Sequence, residues 1–290
     1  MEVNNNMNSK IANTLFKGIY CEIKSFFLAN SFLKKYGQID KYKNICMLVK
    51  KKKKLLLFPY SFTKNYKIND IKVYKDKKYY YTLIDNKKMY IKTFPQLRAK
   101  RYVKNIMLEQ DNSSPHQYCN KNFEINQNDI LLDIGAAEGY FTLKNIEKVK
   151  HAYLFECDPK WIKVLEKTFE PYQDKVTIIH SKISNIDNSE FQTIDTICSK
   201  YNINKVDFIK MDIEGFEEYA IKGMKNTIKN NNVKMAICCY HTIDQEKRIN
   251  NLLEKEFDIE TNDRYMIFYY DFDISKNFLR HGVLRCTKKI

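Results

Sequence analysis

From residue 129 onward the chain alternates short unbroken apolar runs with segments whose apolar residues recur every three or four positions. The runs are DILLDI (129–134), AYLFEC (152–157), KVTIIH (175–180), VDFIKM (206–211) and VKMAICC (233–239). Helical spacing follows from 139, from 159, over 216–229 and over 244–255. Runs of this length predict strands buried on both faces, and a helix after each strand predicts a parallel sheet covered on both sides. Two last runs, YMIFYY (265–270) and GVLRC (282–286), have no helical stretch between them and predict an antiparallel hairpin at the edge. The expected fold class is α/β, with a Rossmann-like, mostly parallel sheet and an antiparallel C-terminal edge.

Ahead of this the rhythm differs. Apolar positions Ile11, Leu15, Phe16, Ile19, Ile23, Phe26 and Phe27 predict an amphipathic helix, or two, over 8–36, closed by Gly37. NICMLV (44–49), LLLFPY (55–60) and YYYTLIDNKKMYIKTF (79–94) read as strands, the last folded into a hairpin at Asp85-Asn86. PQLRAKRYVKNIMLEQ (95–110) is helical, and the Pro-containing DNSSPHQY (111–118) reads as a boundary. Two regions are expected, a small basic α+β region over 1–110 and the α/β domain over 111–290. There is no internal repeat.

Charge separates the same two regions. Residues 1–110 hold 25 Lys and Arg against 7 Asp and Glu, and residues 111–290 hold 25 against 28. A basic N-terminal region suits phosphates, an anionic membrane face, a nucleic acid or a glycan-assembly enzyme. Its longest charge-free stretch, SFFLANSFL (25–33), is too short to span a bilayer, and no signal-peptide pattern is present, so a cytoplasmic chain, peripheral at most to the inner membrane face, is expected. The eight cysteines form no CxxC pair, and the five histidines are widely spaced. Reduced thiols and no metal signature are the expectation.

In a doubly wound sheet ligands sit beyond the carboxyl ends of the strands, so the residues just after each run carry the chemistry. Asp133 and Gly135 end the first run and Glu156 ends the second, 23 residues after Asp133. An acid there accepts hydrogen bonds from ribose hydroxyls, which suits both NAD and S-adenosylmethionine (SAM). The loop reads D-x-G-A-A-E-G, with Ala137 where a dinucleotide loop needs its middle glycine, and Glu138 and Asp133 are poor company for a diphosphate. A zwitterion carrying an ammonium and a sulfonium fits better, which favours SAM. After the fourth run comes KMDIEGFE (210–217), placing Asp212 at the same end of the sheet.

The set DIGAAEGYFTL (133–143), YLFECDPKW (153–161), Lys210, Asp212, Glu214 and Gly215 of KMDIEG, and CCYH ending at His241 resembles the FkbM family of SAM-dependent methyltransferases. The likeness covers about 112–287, including SPHQY and the closing LRHGVLRC. It implies a class I methyltransferase sheet and methyl transfer from SAM to a hydroxyl of a sugar or glycan-linked acceptor, in bacteria often for surface polysaccharides. By position, Asp133, Gly135, Ala136, Glu138 and Gly139 would shape the methionine end of the site, and Glu156 would hold the ribose. Asp158, Ser181 and Lys182 would flank the adenine, with Cys157 in the neighbouring turn where the family often has proline. Asp212 would lie near the methyl group, and His241 or Asp212 would take the acceptor's proton. Lys210 is expected to pair with Glu214 or Glu217, Trp161 to pack its helix, and His116 either to fold over the pocket or to link regions. Asp212 with Glu214 is a carboxylate pair able to bind a cation, but no metal is assigned. An RNA methyltransferase gripping phosphates through the basic region, and a non-catalytic interaction protein on the same fold, are the competing readings; few arginines and no RNA-binding motif weigh against the first.

Overall fold

A computed structural model describes residues 25–92, 95–269 and 278–289. Chain contacts divide the protein into two units, Met1–Thr63 with Tyr265–Arg280, and Lys64–Arg264 with His281–Ile290. The division thus falls at residue 63 and not at 110. The reason is packing: Val73, Ile84, Met89 and Ile91 of an antiparallel meander, and Ala99, Val103 and Ile106 of the helix Gln96–Glu109, share one core with Phe141, Leu165 and Phe169.

In the larger unit seven strands form one sheet: β1 (Asp129–Ile134), β2 (Val149–Glu156), β3 (Val176–His180), β4 (Phe208–Met211), β5 (Lys234–Cys238), β6 (Phe257–Thr261) and β7 (Val283–Lys288). Their order is β6-β7-β5-β4-β1-β2-β3. The five strands from β5 to β3 run parallel, and β7 enters antiparallel between β5 and β6. This is the mostly parallel α/β sheet that the apolar rhythm predicts, in the class I methyltransferase arrangement that the resemblance implies. The chain leaves β1 in one direction and returns at β4 on its other side, so their carboxyl ends make the switch point where a ligand sits. Register then matters chemically. Asp133 of β1 lies opposite Lys210 of β4, which sets carboxylate and ammonium side by side.

Ahead of the sheet, Tyr79–Ile84 and Lys87–Ile91 form the expected hairpin. Asp85 and Asn86 both take the left-handed conformation, φ 46° and 64°, that a two-residue turn of this hand needs.

Several expected elements differ. NICMLV lies in a helix, Lys43–Lys52, because Ile45, Cys46 and Val49 face inward at helical spacing while Met47 faces out. LLLFPY forms no strand, and its Pro59 lacks the N–H that a ladder needs. The 216–229 segment is two helices, Glu217–Lys222 and Lys225–Asn230, broken at Gly223. The partner of β7 at the edge is β6, in a stretch that reads as polar, and not 265–270. β6 alternates Phe257 and Ile259 inward with Asp258 and Glu260 outward, which suits an edge.

The smaller unit holds the part of the expected N-terminal helix that is described, residues 25–36, the helix Lys43–Lys52, and a short antiparallel pair, Met266–Ile267 with Leu279–Arg280. Leu28, Phe32, Val49, Leu55, Ile267 and Leu279 close its core. Residues 8–24 of the expected helix lie outside the described residues. Among the described residues no helix is long and apolar enough to cross a membrane.

Candidate functional site

Beyond the carboxyl ends of β1 to β4 lies a cleft of ≈520 Å³, within the range of about 300–1,000 Å³ typical of small-molecule sites. At its polar end Glu156, the last residue of β2, turns its carboxylate into the loops. Oε1 accepts from the backbone N–H groups of Cys157 and Asp158, both at 2.8 Å, and Oε2 accepts from Ala137 at 3.0 Å. A carboxylate has about four acceptor directions. Three amides therefore fix the group and leave it capacity for a ligand hydroxyl.

Next to Glu156, Asp158 caps the helix Pro159–Thr168 by accepting from Lys160 N–H at 2.8 Å and pairs with Lys92 Nζ at 2.5 Å. The Lys92 ammonium stands 4.1 Å from the centre of the Trp161 ring, and Trp161 itself lines the cleft. Apolar walls come from Phe155, Ile183 and Ile213, and from the stacked pair Phe191 and Phe216, with centroids 5.9 Å apart and an interplanar angle of 21°. Ser181 and Lys182, after β3, complete that side; Ser181 donates to Gln192 at 3.1 Å and Lys182 pairs with Glu190.

Asp212, just past β4, closes the other end. Its Oδ2 accepts from Tyr118 O–H at 2.8 Å, which fastens the SPHQY loop onto the site, and its Oδ1 stands 3.3 Å from His241 Nε2. His241 Nδ1 lies 3.1 Å from Glu217 Oε1, a carboxylate that also accepts from Ile213 N–H and from Gln245. The ring's nitrogens meet these oxygens at ion-pair distance without hydrogen-bond alignment. Burial alone would depress His241, but Asp212 and Glu217 on its two edges outweigh that and raise it to about 10. Burial would raise Asp212, yet His241 and the nearby Lys210 ammonium hold it well below the usual carboxylate range. At neutral pH the imidazole is therefore protonated between two carboxylates. His116, also buried, goes the opposite way, since desolvation pushes it down to about 4; its Nε2 lies 3.2 Å from the Tyr240 hydroxyl.

The backbone that frames the cleft is tight. Gly135 has φ +80°, and a Cβ there would lie 2.0 Å from the Asp212 carbonyl oxygen, so only glycine lets the β1 and β4 loops meet.

Comparison with known proteins settles the family. The family model of the methyltransferase FkbM domain matches residues 80–267, well over half of the chain. The chain belongs to the FkbM methyltransferase family. The FkbM domain therefore starts within the hairpin, ahead of the boundary at 111. No curated protein matches the chain. Among solved structures it is similar to methyltransferase FkbM from Methylobacillus flagellatus, at 20% identity and TM-score 0.44, over 66% of this chain and 54% of that one. It is also similar to the Methanococcus jannaschii fibrillarin pre-rRNA processing protein, at 15% identity and TM-score 0.42, over 77% of this chain and 84% of that one. A third is M. capricolum TrmK in complex with S-adenosylhomocysteine (SAH), at 16% identity and TM-score 0.35, over 57% and 63%. The chain thus spans about half the length of the first of these.

Within the FkbM domain the cleft gathers Gly135, Glu156, Cys157, Asp158, Ser181, Lys182 and Asp212 from the expected set. Asp133, Ala136, Glu138, Gly139 and His241 are not among the residues that line it. Asp133 is fully buried, with Oδ2 taken by the Thr142 hydroxyl at 2.7 Å and Oδ1 3.2 Å from Lys210 Nζ. Lys210 pairs with Asp133 and donates to the Gly135 carbonyl at 2.6 Å, in place of the expected Glu214 or Glu217. Glu138 is buried and accepts from Tyr102 O–H at 2.5 Å. Trp161 lines the cleft where a packing role is expected for it. Asp212, Glu217 and His241 lie close enough together to ligate an ion, yet Glu217 is already engaged by Gln245 and an amide.

Sequence reasoning also missed three residues. Phe191 lies in a stretch without periodicity, Phe216 reads as the first residue of the helical stretch 216–229, and Glu109, half-buried at the end of the helix Gln96–Glu109, looks like any surface acid of an amphipathic helix. Burial, with Asp212, Glu138 and Glu214 around it, raises Glu109 to about 8.

Proposed function

We propose that this chain transfers a methyl group from SAM to a hydroxyl of a sugar or glycan-linked acceptor, in the biosynthesis of a bacterial surface polysaccharide. The observation that carries SAM use is the Glu156 carboxylate, locked by three amides with acceptor capacity left over, beside an apolar slot walled by Phe155, Phe191 and Phe216. That donor set suits an adenosine: hydroxyls on Glu156, a flat base between apolar walls. When bound, SAM supplies a methyl group on a cationic sulfur that leaves readily.

This chain's residues then have three tasks. Glu156 and the aromatic walls hold the cofactor. Asp212, ionised and fixed by Tyr118, presents negative charge at the opposite end of the cleft. The third task is to accept the acceptor's proton. Asp212 binds protons too weakly for it, and His241 already carries its proton. Glu109 does not line the cleft, but it lies within the electrostatic reach of Asp212, Glu138 and Glu214, and burial raises its affinity to about 8, which makes it the candidate to test for that task. In-line displacement at a methyl carbon gains most from alignment of the acceptor and exclusion of water.

The test is to incubate the full chain with methyl-labelled SAM and, separately, free sugars, nucleotide sugars, lipid-linked glycans and RNA. An alkali-stable methyl ether on a sugar is the expected product. Label in RNA alone would replace the glycan acceptor with a nucleic acid, and absence of SAH binding by calorimetry would overturn enzymatic methyl transfer altogether.

A further inference from the structure

In the smaller unit, two features that the fold does not use meet at one end. The helical residues 25–36 turn Leu28, Ala29 and Phe32 into the core, which leaves Phe26 and Phe27 pointing away, 53% and 69% exposed. The two rings sit edge to face, centroids 5.8 Å apart. The neighbouring helix Lys43–Lys52 likewise buries Ile45, Cys46 and Val49 and shows Met47, 62% exposed, and Lys50, Lys51 and Lys52. Past its end the Leu55 N–H donates to the Ser25 carbonyl at 3.3 Å. That bond brings the lysine run to the end of the helix that carries the phenylalanines.

We infer that this end of the smaller unit is a docking surface for an anionic lipid bilayer, with Phe26 and Phe27 entering the headgroup layer and Lys50–Lys52 held against its negative charge. Three observations choose the bilayer. Large apolar side chains next to each other and exposed gain from a phase that takes up hydrocarbon. Between residues 25 and 63 there are nine lysines, one acid and no arginine. Lysine is a hydrated point charge suited to a diffuse surface potential, whereas nucleic-acid grooves favour the forked guanidinium. Finally, no helix among the described residues can cross a membrane, so contact would be from one side. The inference does not depend on which acceptor is methylated.

The experiment is flotation of the full chain with vesicles of phosphatidylglycerol and phosphatidylcholine in equal parts, and with phosphatidylcholine alone. Binding to the anionic vesicles only, reversed by salt, is expected. Phe26→Ser/Phe27→Ser should weaken it by about tenfold or more. Lys50→Gln/Lys51→Gln/Lys52→Gln should weaken it by about a hundredfold, since each neutralised lysine costs about fivefold. All these positions are exposed, so thermal melting and SAH affinity serve as controls for folding. No binding to anionic vesicles overturns the proposal, as does undiminished binding by the phenylalanine variant. Tight binding of RNA with none to vesicles would reassign the lysines to a nucleic acid.

Discussion

His241 Nε2 stands 3.3 Å from Asp212 Oδ1, and that imidazole bridges the cleft's terminal carboxylate to the buried Glu217 on its other edge. Removing the ring leaves two carboxylates facing a space that held positive charge. His241→Asn should therefore cost about 3–5 kcal/mol, the usual loss on breaking a buried ion pair. The folded state binds this proton more tightly than the unfolded chain, so the contribution is complete below pH 6.5 and fades as pH rises through about 10. Urea unfolding of the two proteins across that interval should converge at the alkaline end. A constant gap would show that His241 is neutral in the fold.

Glu109 should set the alkaline-rising limb of activity. If it accepts the acceptor's proton, kcat/KM climbs with pH through about 8 and levels off above. Glu109→Gln should lower kcat by roughly a hundredfold to ten-thousandfold and abolish the limb, with SAH affinity unchanged. A variant that keeps both rate and limb removes Glu109 from the proton path. In stability the sign is the reverse of a salt-bridged acid. A raised carboxyl favours the fold below pH 4.5 and loses that contribution as pH rises through about 8, so the glutamine variant should gain on wild type in alkaline buffer.

Glu156→Ala removes the acceptor for three amides and for the ligand. SAH affinity should fall by about 10–100-fold, the worth of hydrogen bonds to a charged group. Adenosine, which carries the base and ribose without the amino-acid end, should suffer the same loss by calorimetry. If SAH weakens while adenosine does not, Glu156 holds the amino-acid end and the orientation in the cleft is reversed.

Asp133 should act through Lys210. Asp133→Ala leaves a buried ammonium without its carboxylate and should destabilise the fold by about 3–5 kcal/mol. The double variant Asp133→Ala/Lys210→Met should recover much of that, because no buried charge is stranded. Loss of SAH binding by Asp133→Ala with an unchanged melting curve would instead place Asp133 on the ligand.

The parallel strands were readable because a strand buried on both faces has few polar positions to blur it, as MAIC (235–238) shows. The acid that ends β2 and the glycine at 135 were readable for a related reason: a backbone at φ +80° and a carboxylate cradled by loop amides each tolerate few residue types. Other features depend on register and packing. Nothing along the chain says that Asp133 lies opposite Lys210, which requires β1 and β4 to be neighbours although 75 residues separate Gly135 from Lys210. Nor does it say that Phe191, in the short strand Phe191–Gln192, and Phe216, immediately before the helix Glu217–Lys222, stack into one wall. NICMLV misled because its five consecutive apolar residues, 45–49, fit either period, and Met47 facing outward is decided only by what packs on the other side.

Trp161 is the one tryptophan in the chain, and it stands in the wall of the cleft with an ammonium 4.1 Å from its ring centre. The protein thus carries a built-in optical reporter with no competing indole background. Any molecule that shoulders Lys92 aside or shields the ring from solvent will register as a change in emission, so occupancy can be followed by fluorescence titration on the unlabelled, unmodified chain.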